Sequence, residues 1–227
     1  MKIGILQTGE VRPAIKAEMG DYTDSFALLL SGYGFEFDTY RVYENEFPDT
    51  PDAADGWLIT GSRHGAYEDH DWIPPLEELI RGIKASGKPM VGVCFGHQII
   101  AQALGGVVEK FSGGWAIGPQ IYENDQGDTI SLNAYHQDQV IKLPKGAKAE
   151  WHNSFCEFAA MSIGDRIYTI QPHPEFSKEY VELLIEHAAQ GVVPEDVIAN
   201  AEARLSSEII ESQKIADRFA ALFKSAA

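Results

Sequence analysis

Residues 91–98 read Val91-Gly92-Val93-Cys94-Phe95-Gly96-His97-Gln98, with Lys88-Pro89-Met90 before them and Ile99-Ile100-Ala101-Gln102-Ala103-Leu104-Gly105-Gly106 after. The apolar run Met90–Val93 predicts a buried strand, and Gln98–Leu104 predicts a helix that the two glycines close. Between them, Gly92-x-Cys94-x-Gly96 has the form of a nucleophile elbow, with cysteine in place of serine. So sharp a strand-to-helix turn leaves no room for a Cβ beside it, which accounts for the glycines. The turn lifts the sulfur to the end of a sheet. There the unpaired N–H groups of a helix N-terminus favour thiolate over thiol. The competing reading is a small cysteine buried at a strand end. Cys156, in Phe155-Cys156-Glu157-Phe158, lacks the glycines and reads as core.

Upstream of the elbow, short apolar runs alternate with amphipathic segments. Lys2–Leu6 and Gly56–Thr60 read as buried strands, and Phe35–Tyr43 alternates with period two. Asp21–Ser31 and Trp72–Ala85 carry helical faces, Asp21 being the cap of the first. Strands alternating with helices of this length imply βαβ units and a parallel sheet covered on both faces. Downstream, Val140–Leu143 and Ile167–Ile170 are short strands among glycine turns. Ser177–Ala189 and Pro194 to about Lys224 are two closing helical stretches. The expected architecture is α/β, a mostly parallel central sheet flanked by helices. It forms a single domain over 1–227, with a helical C-terminal extension from about 177 to 227. That extension is expected to pack on the flank of the domain.

The 227 residues carry 18 Lys+Arg against 34 Asp+Glu, a net charge of −16. That balance disfavours nucleic acid and anionic membranes as partners, since both need clustered cations. The first apolar run, Met1–Leu6, is too short for a signal peptide, and nothing approaches the ~18 apolar residues of a membrane span. A cytoplasmic protein is expected. Two cysteines make no disulfide framework, and no C-x-x-C pair suggests zinc. Neither glycine-rich nucleotide motif occurs, so no cofactor is expected. His64, Glu68, Asp69, His70 and Asp71 raise the question of a divalent metal. Acidic residues opening a helix in a solvated loop are the simpler reading, and no metal is expected.

A nucleophilic cysteine needs an imidazole within reach, and the imidazole needs a carboxylate. Among seven histidines, His173 has the most telling context, Gln171-Pro172-His173-Pro174-Glu175. Pro174 holds His173 extended, and residues two apart in an extended stretch point the same way. Glu175 is therefore expected beside the His173 ring. His97, in the first turn after the elbow, reads as structural, and by its chemistry His136 reads as an ordinary polar loop residue.

Gly-Val-Cys94-Phe-Gly-His-Gln98, followed by Gln171-Pro-His173-Pro-Glu175, resembles the signature of class I glutamine amidotransferases. The resemblance runs from Ile3 to about Phe176. It implies a Cys94–His173–Glu175 triad acting on glutamine or a γ-glutamyl group through a glutamyl thioester. It also implies that Gly61 and Phe95 offer backbone N–H groups to the oxyanion, and that Gln98 contacts the substrate. Tyr135-His136-Gln137-Asp138 is similar to the stretch whose backbone holds the glutamyl ends. Many members have glycine where this chain has Gln137. The stretch Gly61–Trp72 and the long tail resemble the stand-alone γ-glutamyl peptidase-like branch, itself similar to the amidotransferase domain of GMP synthetase.

The expected activity is hydrolysis of a small-molecule γ-glutamyl amide, by a thiol-dependent amidase, glutaminase or γ-glutamyl hydrolase. Alternatives are a glutaminase subunit feeding ammonia to a separate synthetase partner, and a catalytically silent binding or regulatory protein. The oligomeric state is not legible.

Overall fold

In the computed structural model, which describes residues 1–225, the first strand β1 (Lys2–Gln7) leads into two short helices, α1 (Pro13–Met19) and α2 (Tyr22–Leu29). Asp21 caps α2 as expected: its side chain takes the Tyr22 N–H, while the Asp24 carboxylate reaches back to the Asp21 N–H. Next come β2 (Glu36–Arg41), β3 (Gly56–Ile59), α3 (Ile73–Ser86), β4 (Met90–Val93) and α4 (Phe95–Ala103). Strands β5 (Val107–Lys110), β6 (Ala116–Glu123), β7 (Thr129–His136) and β8 (Asp138–Lys142) form two antiparallel ribbons, β5 with β8 and β6 with β7. The chain then returns through β9 (Ala147–Trp151), β10 (Ala160–Ile163) and β11 (Ile167–Ile170) to α5 (Lys178–Leu184), α6 (Glu195–Leu205) and α7 (Ser212–Lys224).

The main sheet has the order β2-β1-β3-β4-β11-β10-β9. From β2 to β11 every pairing is parallel, and β10 and β9 extend the sheet antiparallel. The α/β expectation holds. Period-two alternation divides each strand between the two faces. Trp57 and Ile59 join α3 and α4 in one apolar cluster, with Leu76, Ile80, Ile99 and Ile100. Leu58, Val91 and Val93 face the other way, onto Phe26 of α2 and Phe219 and Phe223 of α7. A third cluster gathers α1, α5 and α6 around Ile117 of β6. Among the described residues no helix is long and apolar enough to cross a membrane.

Three expectations change. Helix α4 begins at Phe95, not Gln98, because the elbow joins strand to helix with no loop between. The strand expected over Phe35–Tyr43 ends at Arg41, and Val42–Glu44 turns as a 3₁₀ helix. The last helical stretch is two helices rather than one. At the break, Glu211 pairs with Ser131 of β7, giving its N–H to the Ser131 carbonyl (2.9 Å) and accepting the Ser131 N–H on its carboxylate (3.0 Å).

Strands β3, β4 and β11 are adjacent and parallel, with Ile59 level with Gly92 and Ile170 level with Val93. Their carboxyl ends therefore open side by side, and the residues just beyond them meet. Those residues are Gly61, Cys94 and His173.

Candidate active site

Cys94 has φ 53° and ψ −106°, a backbone conformation that costs a non-glycine residue about 1–3 kcal/mol. Its surroundings hold it there. The Cys94 N–H donates to Ile170 O (2.9 Å), and the Gly96 N–H to Thr60 O (3.1 Å), tying the turn to both neighbouring strands. A Cβ on Gly92 would lie 2.5 Å from Gly96 O, and one on Gly96 would lie 2.2 Å from Ile59 O. The glycine frame is a steric requirement of this turn.

His173 follows β11, anchored by its N–H to Asn133 O of β7 (2.7 Å). Its Nδ1 lies 2.6 Å from Glu175 Oε1, as the extended Pro-His-Pro-Glu geometry predicts, and the ring faces the same cavity as Cys94. The imidazole stacks on Phe176, with centroids 3.9 Å apart and planes within 3°, and Phe176 stacks in turn on Tyr180. The ring plane is thus set by packing and its tilt by the carboxylate. Burial works against the imidazolium. The charges of Glu175 and Cys94 outweigh it, and the His173 pKa is pushed up to about 10. The Glu175 side chain is wholly buried, and among the described residues its second oxygen has no hydrogen-bond partner.

Gly61 lies against this pair: a Cβ there would meet His173 Cε1 at 3.0 Å and Cys94 Cβ at 3.7 Å. Thr60 O accepts from the Thr8 hydroxyl (3.1 Å) as well as from the Gly96 N–H. Since a trans peptide points its N–H away from its carbonyl, these bonds fix the direction of the Gly61 N–H. Phe95, the first residue of α4, has an N–H with no intrahelical acceptor.

A cavity of about 340 Å³ opens over Cys94 and His173, large enough for a small ligand. Gln98, Tyr135 and Gln137 line it, as does the Ser62–Glu68 loop. The Gln98 amide nitrogen donates to Asp138 O (2.9 Å) and Gln171 Oε1 (3.0 Å), so only its oxygen is left to meet a ligand. Gln137 gives its amide to Phe111 O (3.2 Å), and Tyr135 meets Trp115 edge to face. His136 also lines the cavity. Its Nδ1 lies 3.2 Å from Asp138 O, and burial together with the charge of His173 lowers its pKa to about 3. His97 is fully buried with Nδ1 2.7 Å from the Thr169 hydroxyl, consistent with a structural role. The Phe176 platform and the Asn133 anchor are not foreseen from the sequence. A phenylalanine three residues after the candidate base was the available signal for the first, and none marks the second.

A thiol on a glycine-framed elbow, beside a buried imidazole–carboxylate pair at the mouth of a parallel sheet, defines a class of α/β proteins built around a cysteine site. The family pattern of class I glutamine amidotransferases matches residues 18–183, a span that includes Cys94, His173 and Glu175. The chain belongs to that family. It is 33% identical over 191 residues to gamma-glutamyl peptidase 4 of Arabidopsis thaliana, covering 78% of this chain and 76% of the relative. A shorter match, 37% over 101 residues, links 41% of this chain to 55% of a glutamine-hydrolyzing GMP synthase subunit from Archaeoglobus fulgidus. The crystal structure of a glutamine amidotransferase from Methylobacillus flagellatus superposes with a TM-score of 0.78 at 20% identity, covering 99% of this chain and 94% of that one.

The two cysteines are expected to react very differently. Cys156 is 1% exposed, and burial pushes its thiol up to about 12. Cys94 opens into the cavity. A glutamine-like electrophile should therefore modify Cys94 and spare Cys156 in the folded protein, as read by peptide mass mapping. Labelling chiefly at Cys156 would reverse the assignment.

Proposed function

We propose that this protein hydrolyses γ-glutamyl amides by itself, through a Cys94–His173–Glu175 triad and a glutamyl thioester. The 2.6 Å contact of His173 with Glu175, with Cys94 and His173 facing one cavity beside Gly61, carries this reading. The Cys94 sulfur adds to the γ-carbonyl carbon, and the oxygen takes the negative charge. The N–H groups of Gly61 and Phe95 stabilise that charge, at ~2.7–4 kcal/mol per donor. His173, protonated by the thiol, gives the proton to the leaving nitrogen, and the C–N bond breaks. Water then loses a proton to His173 and attacks the thioester. Glutamate leaves and the thiol is restored.

The Gln98 oxygen suits the substrate's α-ammonium group, and Tyr135 and Gln137 flank the glutamyl end. The leaving group lies toward the Arg63–Trp72 loop. A cavity of about 340 Å³ exceeds what ammonia requires. The likeness to a γ-glutamyl peptidase over most of both chains favours a larger amine.

Steady-state kcat/KM with the purified chain alone tests this. Hydrolysis of a γ-glutamyl dipeptide or amine should be measurable and should exceed that of glutamine. If neither is hydrolysed until a synthetase-like protein is added, the chain is a glutaminase subunit instead.

A further inference from the structure

The loop between β3 and α3 carries a cluster that the proposed hydrolysis does not use. His64, Glu68 and His70 each offer one ligand atom, all within 4.8 Å of one another. Glu68 Oε2 lies 3.3 Å from His64 Nδ1 and 2.8 Å from His70 Nε2. Zinc–ligand bonds of about 2.0–2.2 Å in a tetrahedral site place neighbouring ligand atoms about 3.3 Å apart, the separation already present between His64 and Glu68. Asp69 and Asp71, grouped with them on sequence grounds, are not part of the cluster, and Asp71 accepts a hydrogen bond from Asn45.

The loop is held in shape before any ion arrives. Its backbone folds through Glu68 N–H to Gly65 O (3.0 Å), His70 N–H to Glu68 O (3.1 Å) and Ile73 N–H to His70 O (3.1 Å). Trp72, only 4% exposed, supports both imidazoles: His70 stacks on it at 5.7 Å, and His64 meets it edge-on at 6.1 Å. Gln102 of α4 ties Ala66 O to the helix (2.7 Å). One Glu68 carboxylate oxygen serves both rings.

We propose that His64, Glu68 and His70 form a binding site for a divalent transition metal of the zinc class on the rim of the Cys94 cavity. Two imidazole nitrogens and one carboxylate oxygen are a borderline-soft donor set. They suit Zn²⁺, Co²⁺ or Ni²⁺, whereas Mg²⁺ and Ca²⁺ prefer all-oxygen surroundings. His64 and Glu68 line the cavity, and Trp72 packs on Phe95 at 5.5 Å, the residue next to Cys94. Metal binding therefore stiffens a wall of the site without involving the thiol.

Titration of the full-length Cys94→Ser variant with Co²⁺ removes the reactive thiol as a competing ligand. One equivalent should bind with a visible d–d absorption band and quench part of the tryptophan emission through Trp72. His70→Ala and Glu68→Gln should each weaken binding by roughly tenfold or more, and His64→Ala/His70→Ala should abolish the band. In the unsubstituted chain, Zn²⁺ should shift the ring ¹⁵N resonances of His64 and His70 while leaving those of His97 in place. That measurement keeps the test decisive if a variant folds poorly. Absence of stoichiometric binding, or binding unchanged in the double variant, overturns the site and leaves a hydrogen-bonded surface loop. Neither outcome bears on γ-glutamyl hydrolysis, which is read separately from released glutamate.

Discussion

Cys94→Ala should lower kcat on γ-glutamyl amides by on the order of 10⁶-fold, the scale at which a hydrolase triad loses its nucleophile. The protein should stay folded. Alanine keeps the Cβ and removes only the sulfur, so the contacts holding the elbow survive. His173→Ala should cost about as much, and the double variant little more, because a triad acts as a unit. The strain at residue 94 gives an independent readout. Its φ of 53° suits glycine better than any side chain, so Cys94→Gly should melt above Cys94→Ala even though glycine enlarges the unfolded ensemble. Gly96→Ala sets the opposite limit. Its new Cβ would fall 2.2 Å from Ile59 O, a backbone atom that cannot turn aside, so both stability and activity should drop. Glutamate release, with circular dichroism as the folding control, separates these variants. Substantial turnover in Cys94→Ala would refute the thioester route.

The parts of the site that the sequence discloses are those set by local sterics. Two glycines around Cys94 and two prolines around His173 each impose one backbone course on their neighbours. Their consequences, an elbow and an extended His-x-Glu, follow over a few residues. The parallel strands are legible for a similar reason, since fully buried strands read as unbroken apolar runs. What the sequence conceals depends on partners far along the chain. Nothing between Ser206 and Glu211 is a glycine or proline, so the helical spacing reads through the break between α6 and α7. The break exists because Glu211 pairs with Ser131, some 80 residues upstream, and because the two helices serve different cores. Ile209, which the spacing suggests as a buried position, is 82% exposed at that corner. Asn133 likewise holds the His173 and Phe176 backbones from another strand, through hydrogen bonds of 2.7 and 2.9 Å. Gln98 is marked by the family resemblance as a substrate contact, yet its nitrogen is spent on Asp138 and Gln171, a commitment visible only in three dimensions.

Glu175→Gln should lower kcat by about 10²- to 10⁴-fold with little change in KM, because the residue acts through His173 rather than on substrate. Glu175 does not line the cavity. Glutamine preserves its shape but removes its charge, and that charge is the first of the influences raising the His173 pKa against burial. Without it, burial is less opposed and the pKa falls from about 10. The imidazolium then forms less readily, and the proton returns to the Cys94 sulfur. The alkaline limb of the kcat/KM profile should therefore move to lower pH in the variant. Stability follows the same linkage. A raised folded-state pKa stabilises the protein fully below the ordinary histidine value of about 6.5 and loses that contribution as pH rises through the folded value. Any stability advantage of the unsubstituted chain from this pair should accordingly shrink between about pH 6.5 and 10. Glu175→Asp retains the charge on a shorter arm and should recover part of the rate and the original position of the alkaline limb. A structural carboxylate would behave differently, with Glu175→Gln and Glu175→Asp losing activity in proportion to lost stability and the pH profile unmoved. That outcome, or full activity in Glu175→Gln, removes Glu175 from the triad and leaves Phe176 alone to hold the ring.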